Sequence, residues 1–268
     1  MPYRNNLARL KQKLLDHDSR MDALVDQTRV DEAARLSKCM PLSHGTASKN
    51  FLTILQSGKL LTHAEKFRHA PATDTDEVLL GTQDYVFFYA APFSYPKSTC
   101  GFLFKTALEE HHRDGGEATP FDSGGLNKHL KASLNLEERR DFLEAHKLPV
   151  PGYRSYLELL LLHCFDTPWH YVAGEAPVIL PPVELDQHSN DRSWLMEIRI
   201  PGNVPIKTHL MAVWVPIEDF VHDAVVDFQL FCDQRGIDIE PIETGMGSFD
   251  ELQQLSRSYI RTLQGGPL

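Results

Sequence analysis

Three groups of residues could do chemistry, judged by type and spacing. The first is His44-Gly45-Thr46, a short polar sequence placed where a strand ends and a helix begins. Glycine has no Cβ, so a backbone at such a junction can come close to a ligand, and the imidazole beside it can donate or accept a hydrogen bond. The second is an aromatic run, Tyr85-Val86-Phe87-Phe88-Tyr89, continued by Ser94-Tyr95-Pro96-Lys97-Ser98, which combines flat ring faces with hydroxyl groups. The third is a set of isolated carboxylates, Glu158, Glu175, Glu184 and Glu197. Glu158 lies in a Leu-rich run, where an unpaired charge would be costly. Glu197 alternates with apolar neighbours and is expected to face solvent on a strand. Glu175, in Gly174-Glu175-Ala176-Pro177-Val178-Ile179-Leu180, is expected two residues ahead of a strand.

These residues need elements to position them. Phe51, Ile54 and Leu55 recur at i, i+3, i+4 and predict one buried face of a helix just after Thr46. Ser48 or Asn50 can cap its start, and Gly58 can end it in a left-handed conformation. Residues 84–92 predict a strand, followed by a second short apolar run at 101–104; 194–200 and 209–215 also predict strands, with Pro201-Gly202-Asn203 turning the chain between them. Residues 217–234 predict a helix, 237–239 a short strand, and 249–263 a last amphipathic helix. The run at 156–164 is apolar almost all round and therefore buried; periodicity leaves helix and strand both open.

Residues 1–37 read as a helical brace. Leu7, Leu10, Leu14 and Leu15 form a stripe that Met21, Leu24 and Val25 continue. A polar stretch at 62–76 carries Arg68, His69, Pro71 and Asp74. Residues 105–150 are charged and turn-rich, with Asp114-Gly115-Gly116, Ser123-Gly124-Gly125 and a helix at 135–146. They are expected to form an insertion or loop within a main domain at 38–268.

The pattern His44-Gly45-Thr46, Phe51-x-x-Ile54-Leu55, Gly58-Lys59-Leu60 resembles the first motif of the ADP-ribosyltransferases, in the branch of the poly- and mono-ADP-ribosyl polymerases. Phe88-Tyr89-Ala90-Ala91 with Ser94-Tyr95-Pro96-Lys97-Ser98 resembles their second motif. Pro92-Phe93-Ser94-Tyr95-Pro96 is also similar to a segment of the DNA-targeting ADP-ribosyltransferase toxins, with Phe93 where they carry Arg. Their third motif, a Glu at the start of a late strand, is matched best by Glu175.

The resemblance implies an α+β fold with a split antiparallel β core, surrounding helices and an N-terminal helical segment. It implies a mono-ADP-ribosyltransferase that cleaves NAD, its co-substrate, and passes ADP-ribose to an acceptor, either a protein or a nucleic acid. A bacterial toxin, effector or defence enzyme is the expected setting. By the same resemblance His44 would hold the adenosine ribose, the Gly45 backbone the nicotinamide carboxamide, and Thr46 and Ser98 the pocket wall. Tyr89 and Tyr95, or Phe88 in place of Tyr89, would stack on the nicotinamide cation. Glu175 would stabilise the positive charge that builds on the ribose, acting with His44 and Tyr89. Two alternatives share the fold: a tRNA 2′-phosphotransferase-like enzyme, which would call for a basic cluster, and an inactive NAD-binding or protein-interaction module.

The bulk properties constrain this reading. With 268 residues, 42% hydrophobic and 24% charged, the chain can bury a sizeable core. A net charge of −10 counts against non-specific nucleic-acid binding. Cys39, Cys100, Cys164 and Cys232 form no CxxC pair and are expected as reduced thiols, and no HxxxH or HExxH suggests a metal. No apolar run is long enough for a membrane span or a signal peptide, so a cytoplasmic location is expected.

Overall fold

The structure, a computed structural model, describes residues 3–17, 26–66, 80–112, 114–123, 130, 134–185, 193–243, 245 and 247–266. Leu10 and Leu14 bury one side of α1 (Arg4–His17), and Ala33 and Leu36 one side of α2 (Gln27–Cys39). The chain then enters β1 (Leu42–Thr46), a 3-10 turn (Ser48–Asn50), α3 (Phe51–Ser57), β2 (Lys59–Leu60) and α4 (His63–Lys66). Gly58 ends α3 at φ 66°, the left-handed cap expected of it. The start of α3 differs from expectation. Asn50 turns its side chain back onto Thr46 Oγ1 at 3.2 Å, and Thr99 Oγ1 accepts the Ser48 N–H at 2.8 Å.

Next come β3 (Tyr85–Tyr89), β4 (Cys100–Phe104), α5 (Ala107–His111), β5 (Glu117–Thr119), α6 (Leu136–His146), β6 (Leu148–Pro149) and α7 (Val150–Cys164). Pro151 in the first turn suits the start of α7, and the ambiguous apolar run proves to be its buried body. The stretch expected as an insertion is in part core, because β5 and β6 belong to the main sheet and are buried. Short length and low hydrophobicity hid them, since two or three residues show no alternation.

The last elements are α8 (Pro168–Ala173), β7 (Glu197–Pro201), β8 (Val204–Pro205), β9 (Leu210–Pro216), α9 (Asp223–Asp233), β10 (Asp238–Ile242) and α10 (Ser248–Gln264). No strand begins after Glu175, contrary to expectation, because Pro177, Pro181 and Pro182 leave too few N–H donors for a ladder. Met21, Leu24, Val25, Arg68, His69, Pro71, Asp74, Gly124 and Gly125 lie outside the described residues.

Eight strands form one sheet in the order β10-β9-β4-β1-β3-β7-β5-β6, and β2 pairs with β8 apart from it. Every pair is antiparallel except β10 with β9. Alternation gives the sheet two unlike faces. His44, Phe88, Phe102 and Phe104 line one, where Phe51 of α3 stacks on Phe102. Trp214 belongs to the other, with Tyr259 of α10 edge-on against it.

Helices α1 and α2 pack on α7. Arg154 of α7 reaches the last turn of α2, donating to Ser37 O and, at 3.0 Å, to Met40 O, while its guanidinium also binds Glu109 of α5. Those carbonyls end a helix and have no intrahelical partner, so the cation both fills them and opposes the helix dipole.

Candidate active site

The sheet nearly divides between β1 and β3. They share a single residue pair, Ser43 with Tyr89, whereas β1 pairs with β4 along all five of its residues and β3 with β7 along all five of its own. Past that point the His44 ring replaces the backbone ladder, its Nδ1 lying 2.9 Å from Phe87 O. That carbonyl needs a donor, which places the imidazole proton on Nδ1 and leaves Nε2 an acceptor. Burial pulls the His44 pKa down to about 4, and Lys66 adds to the shift, so the ring is neutral at pH 7.

Gly45 follows on β1 and has Ser98 packed on its Cα. A Cβ at Gly45 would lie 2.0 Å from Ser98 Oγ and 2.7 Å from Ser98 Cβ. Ser98 is fully buried and its hydroxyl has no hydrogen-bond partner. Phe93 occupies the neighbouring space, against Gly101 and edge-on to Trp214. An unsatisfied hydroxyl beside half-buried glycine backbone suits a planar group that both donates and accepts hydrogen bonds, such as a carboxamide.

Alternation settles which aromatic neighbours His44. Phe88 shares its face, with ring centroids 5.6 Å apart. Tyr89, at the end of β3 and 8% exposed, points to the opposite face. There it stands in a row that crosses five strands in register: Leu103, Ser43, Tyr89, Glu197 and Thr119.

Glu197 is the first residue of β7 and 1% exposed, not on a solvated face as its alternation suggests. Ser123 holds its carboxylate twice, through N–H to Oε2 at 3.1 Å and through O–H to Oε1 at 2.5 Å. Burial and then Asp122, which hydrogen-bonds to it, push its pKa well above the usual carboxylate range, while Arg199 and Ser123 oppose that shift. Two residues on, Arg199 is fully buried with Nε 3.8 Å from both Glu197 and Glu117, and Lys147 pairs with Glu117 at 3.0 Å. The guanidinium nitrogens of Arg199 make no hydrogen bond. A buried row of alternating charges is expensive to assemble, and such rows concentrate at sites that use them.

The structure therefore gathers His44, Gly45, Thr46, Ser98 and Tyr89 around the β1–β3 division. It does not bring Glu175 there. That residue is exposed in the loop after α8, its carboxylate 3.6 Å from His170. Tyr95 is 38% exposed on the turn after β3, where its carbonyl accepts the Ser98 N–H, so its ring is not enclosed by the site. The residues that sequence reasoning missed are Asp122, Ser123 and Arg199. A signal existed in Met196-Glu197-Ile198-Arg199-Ile200, where two charges of opposite sign fall on the same face of a strand otherwise apolar. Among the described residues no group of three or more His, Cys, Asp or Glu is arranged to hold a metal ion, and no helix is long and apolar enough to cross a membrane.

Fold and site together define an α+β protein with a nearly divided, mainly antiparallel sheet, a histidine–glycine strand at the division and a buried carboxylate on the second strand across it. Among solved structures it is similar to Thermus sp. 2.9 DarT in complex with NAD+, with TM-score 0.38 and 12% identity over 75% of this chain and 94% of that one. The same protein in complex with ADP-ribosylated ssDNA gives TM-score 0.40 and 13% identity over 75% and 93%. Thermosipho africanus DarTG in complex with ADP-ribose gives 0.41 and 14% over 75% of this chain and 49% of that one. No protein-family model matches the chain, and no curated protein does.

Proposed function

We propose that the protein is an NAD-dependent mono-ADP-ribosyltransferase with Glu197, rather than Glu175, as its catalytic carboxylate. The observation that carries the reading is the place of Glu197: it opens β7 in register with Tyr89, whose strand β3 lies between β7 and the His44-Gly45 segment. In the reaction the bond between ribose C1′ and the nicotinamide nitrogen breaks, and nicotinamide leaves with the electron pair. The acceptor's nucleophile bonds to C1′ and releases its proton to solvent. Glu197 would stabilise the charge on the ribose, because a cation arriving beside it favours its ionised form.

The other residues have matching roles. Gly45 backbone and Ser98 Oγ would hold the nicotinamide carboxamide, and Nε2 of His44 would accept from a ribose hydroxyl. Lys66, whose pKa is lowered by burial and by the nearby charge of Lys49, marks a local concentration of cations suited to the diphosphate. The acceptor is proposed to be a macromolecule, protein or nucleic acid, and a toxin or defence role follows from the same resemblance.

Nicotinamide release and labelling of added protein or single-stranded nucleic acid test this directly. Glu197→Gln should lower turnover by at least about a hundredfold, while Glu175→Gln should stay within about twofold of wild type. The reverse ranking would sink the assignment of Glu197. Burial of Glu197 and Ser98 favours a second reading, a binding module without turnover. NAD binding by the wild type with no nicotinamide release in the presence of any of these acceptors would select it.

A further inference from the structure

The molecule's charge is not spread evenly. Residues 217–251 contain ten Asp and Glu against a single Lys or Arg, Arg235, so they hold nine of the ten net negative charges. This stretch forms one edge of the protein: the 3-10 turn at Ile217–Asp219, α9, β10 on the open side of the sheet and the first turn of α10. Its acidic side chains face outward, except that Asp219 is partly buried. Burial, and then Glu218 beside it, push the Asp219 pKa up, while His222 opposes that shift.

The same edge exposes apolar side chains. Ile217 is 51% exposed, Val221 88%, Val226 52% and Leu230 58%. On α9 the outward stripe runs Asp223, Val226, Asp227, Leu230, Asp233, so that apolar and acidic residues share one face at helical spacing. Exposed apolar groups gathered among acids have no role in solubility and are the usual composition of a contact surface.

Charge decides among the possible occupants. Nucleic acid and anionic membranes would be repelled. A second copy of this edge would bring nine more net negative charges against the first. We infer that the α9–β10 edge docks a partner protein through a cationic amphipathic helix, whose Lys and Arg meet the acids while its apolar stripe covers Val221, Val226 and Leu230. This surface uses none of the residues assigned to NAD, so the inference does not rest on the enzymatic reading.

The probe is a fluorescent amphipathic peptide of Leu and Lys at helical spacing, titrated against the full chain by anisotropy. Wild type should bind, and added salt should weaken it. Val226→Ser/Leu230→Ser and Asp223→Asn/Asp227→Asn should each weaken binding by about tenfold or more. All four residues are exposed, so both variants should keep the wild-type circular dichroism. Equal affinity for wild type and Val226→Ser/Leu230→Ser would overturn the inference, since that is charge attraction without a docking face. So would a dimer in sedimentation at high salt that Val226→Ser/Leu230→Ser dissolves, because the occupant would then be a second copy.

Discussion

Glu197 and Asp122 are two acids in one buried place, and their coupling can be read kinetically. Burial and Asp122 both favour the neutral form of Glu197, and Ser123 and Arg199 favour the ionised one. Replacing Asp122 by Asn removes the charge that opposes ionisation, so the Glu197 pKa should fall. Under the proposed mechanism the acid limb of the nicotinamide-release profile should move to lower pH. An unmoved limb, with rate alone reduced, would mean that Asp122 only packs. The residue scale also shows why the strand expected after Glu175 is absent. A Glu followed by Ala-Pro-Val-Ile-Leu has the composition of a strand start, and only the prolines hint that no ladder forms. Glu197 has the opposite problem: alternation gives its face correctly, but not what covers that face.

At the scale of elements, β1 is specified by close approach. Gly45 lies under Ser98 and Gly101 under Phe93, where a Cβ would come within 2.3 Å of the ring. Gly45→Ala should therefore cost about 1–3 kcal/mol of stability by overpacking. Gly45→Ala/Ser98→Gly should regain most of that, since the obstructing side chain is gone. Thermal unfolding of the pair checks this, and a double variant no more stable than Gly45→Ala would put the strain elsewhere. The elements were legible where they were long and periodic. The helix at 51–57 with its Gly58 stop and the aromatic strand β3 follow from local chemistry. So does α10, as an amphipathic segment before Gly265. β5 and β6 were not legible, because their strand character comes from pairing with β7 and with each other.

For the whole molecule, titration sets a stability limit on the acid side. The His44 pKa falls from 6.5 to about 4 on folding because burial favours the neutral ring. The unfolded chain therefore binds this proton first. The stability is full above pH about 6.5 and is lost as pH falls towards and through about 4, a change on the order of 3 kcal/mol. His112, His146 and His209 are lowered too, mainly by burial, and act in the same direction. Glu109 and Glu197, raised by burial, act in the opposite one. Urea midpoints between pH 7 and pH 4 should thus decline, and less steeply for His44→Gln. Parallel declines would remove His44 from the account.

The sequence by itself determined some local pieces: the longer periodic runs such as α3, β3 and α10, the glycine that stops α3, and that His44-Gly45-Thr46 opens onto a helix. It also determined the charge of residues 217–251, since composition does not depend on folding. The tertiary structure alone decided which carboxylate joins Tyr89 and which aromatic ring meets His44. It also decided that Arg199 lies buried between Glu197 and Glu117. The physical reason is register. Alternation along one strand says that two residues share a face, but the neighbouring strands and covering helices decide what that face meets, and those contacts join residues far apart in the chain.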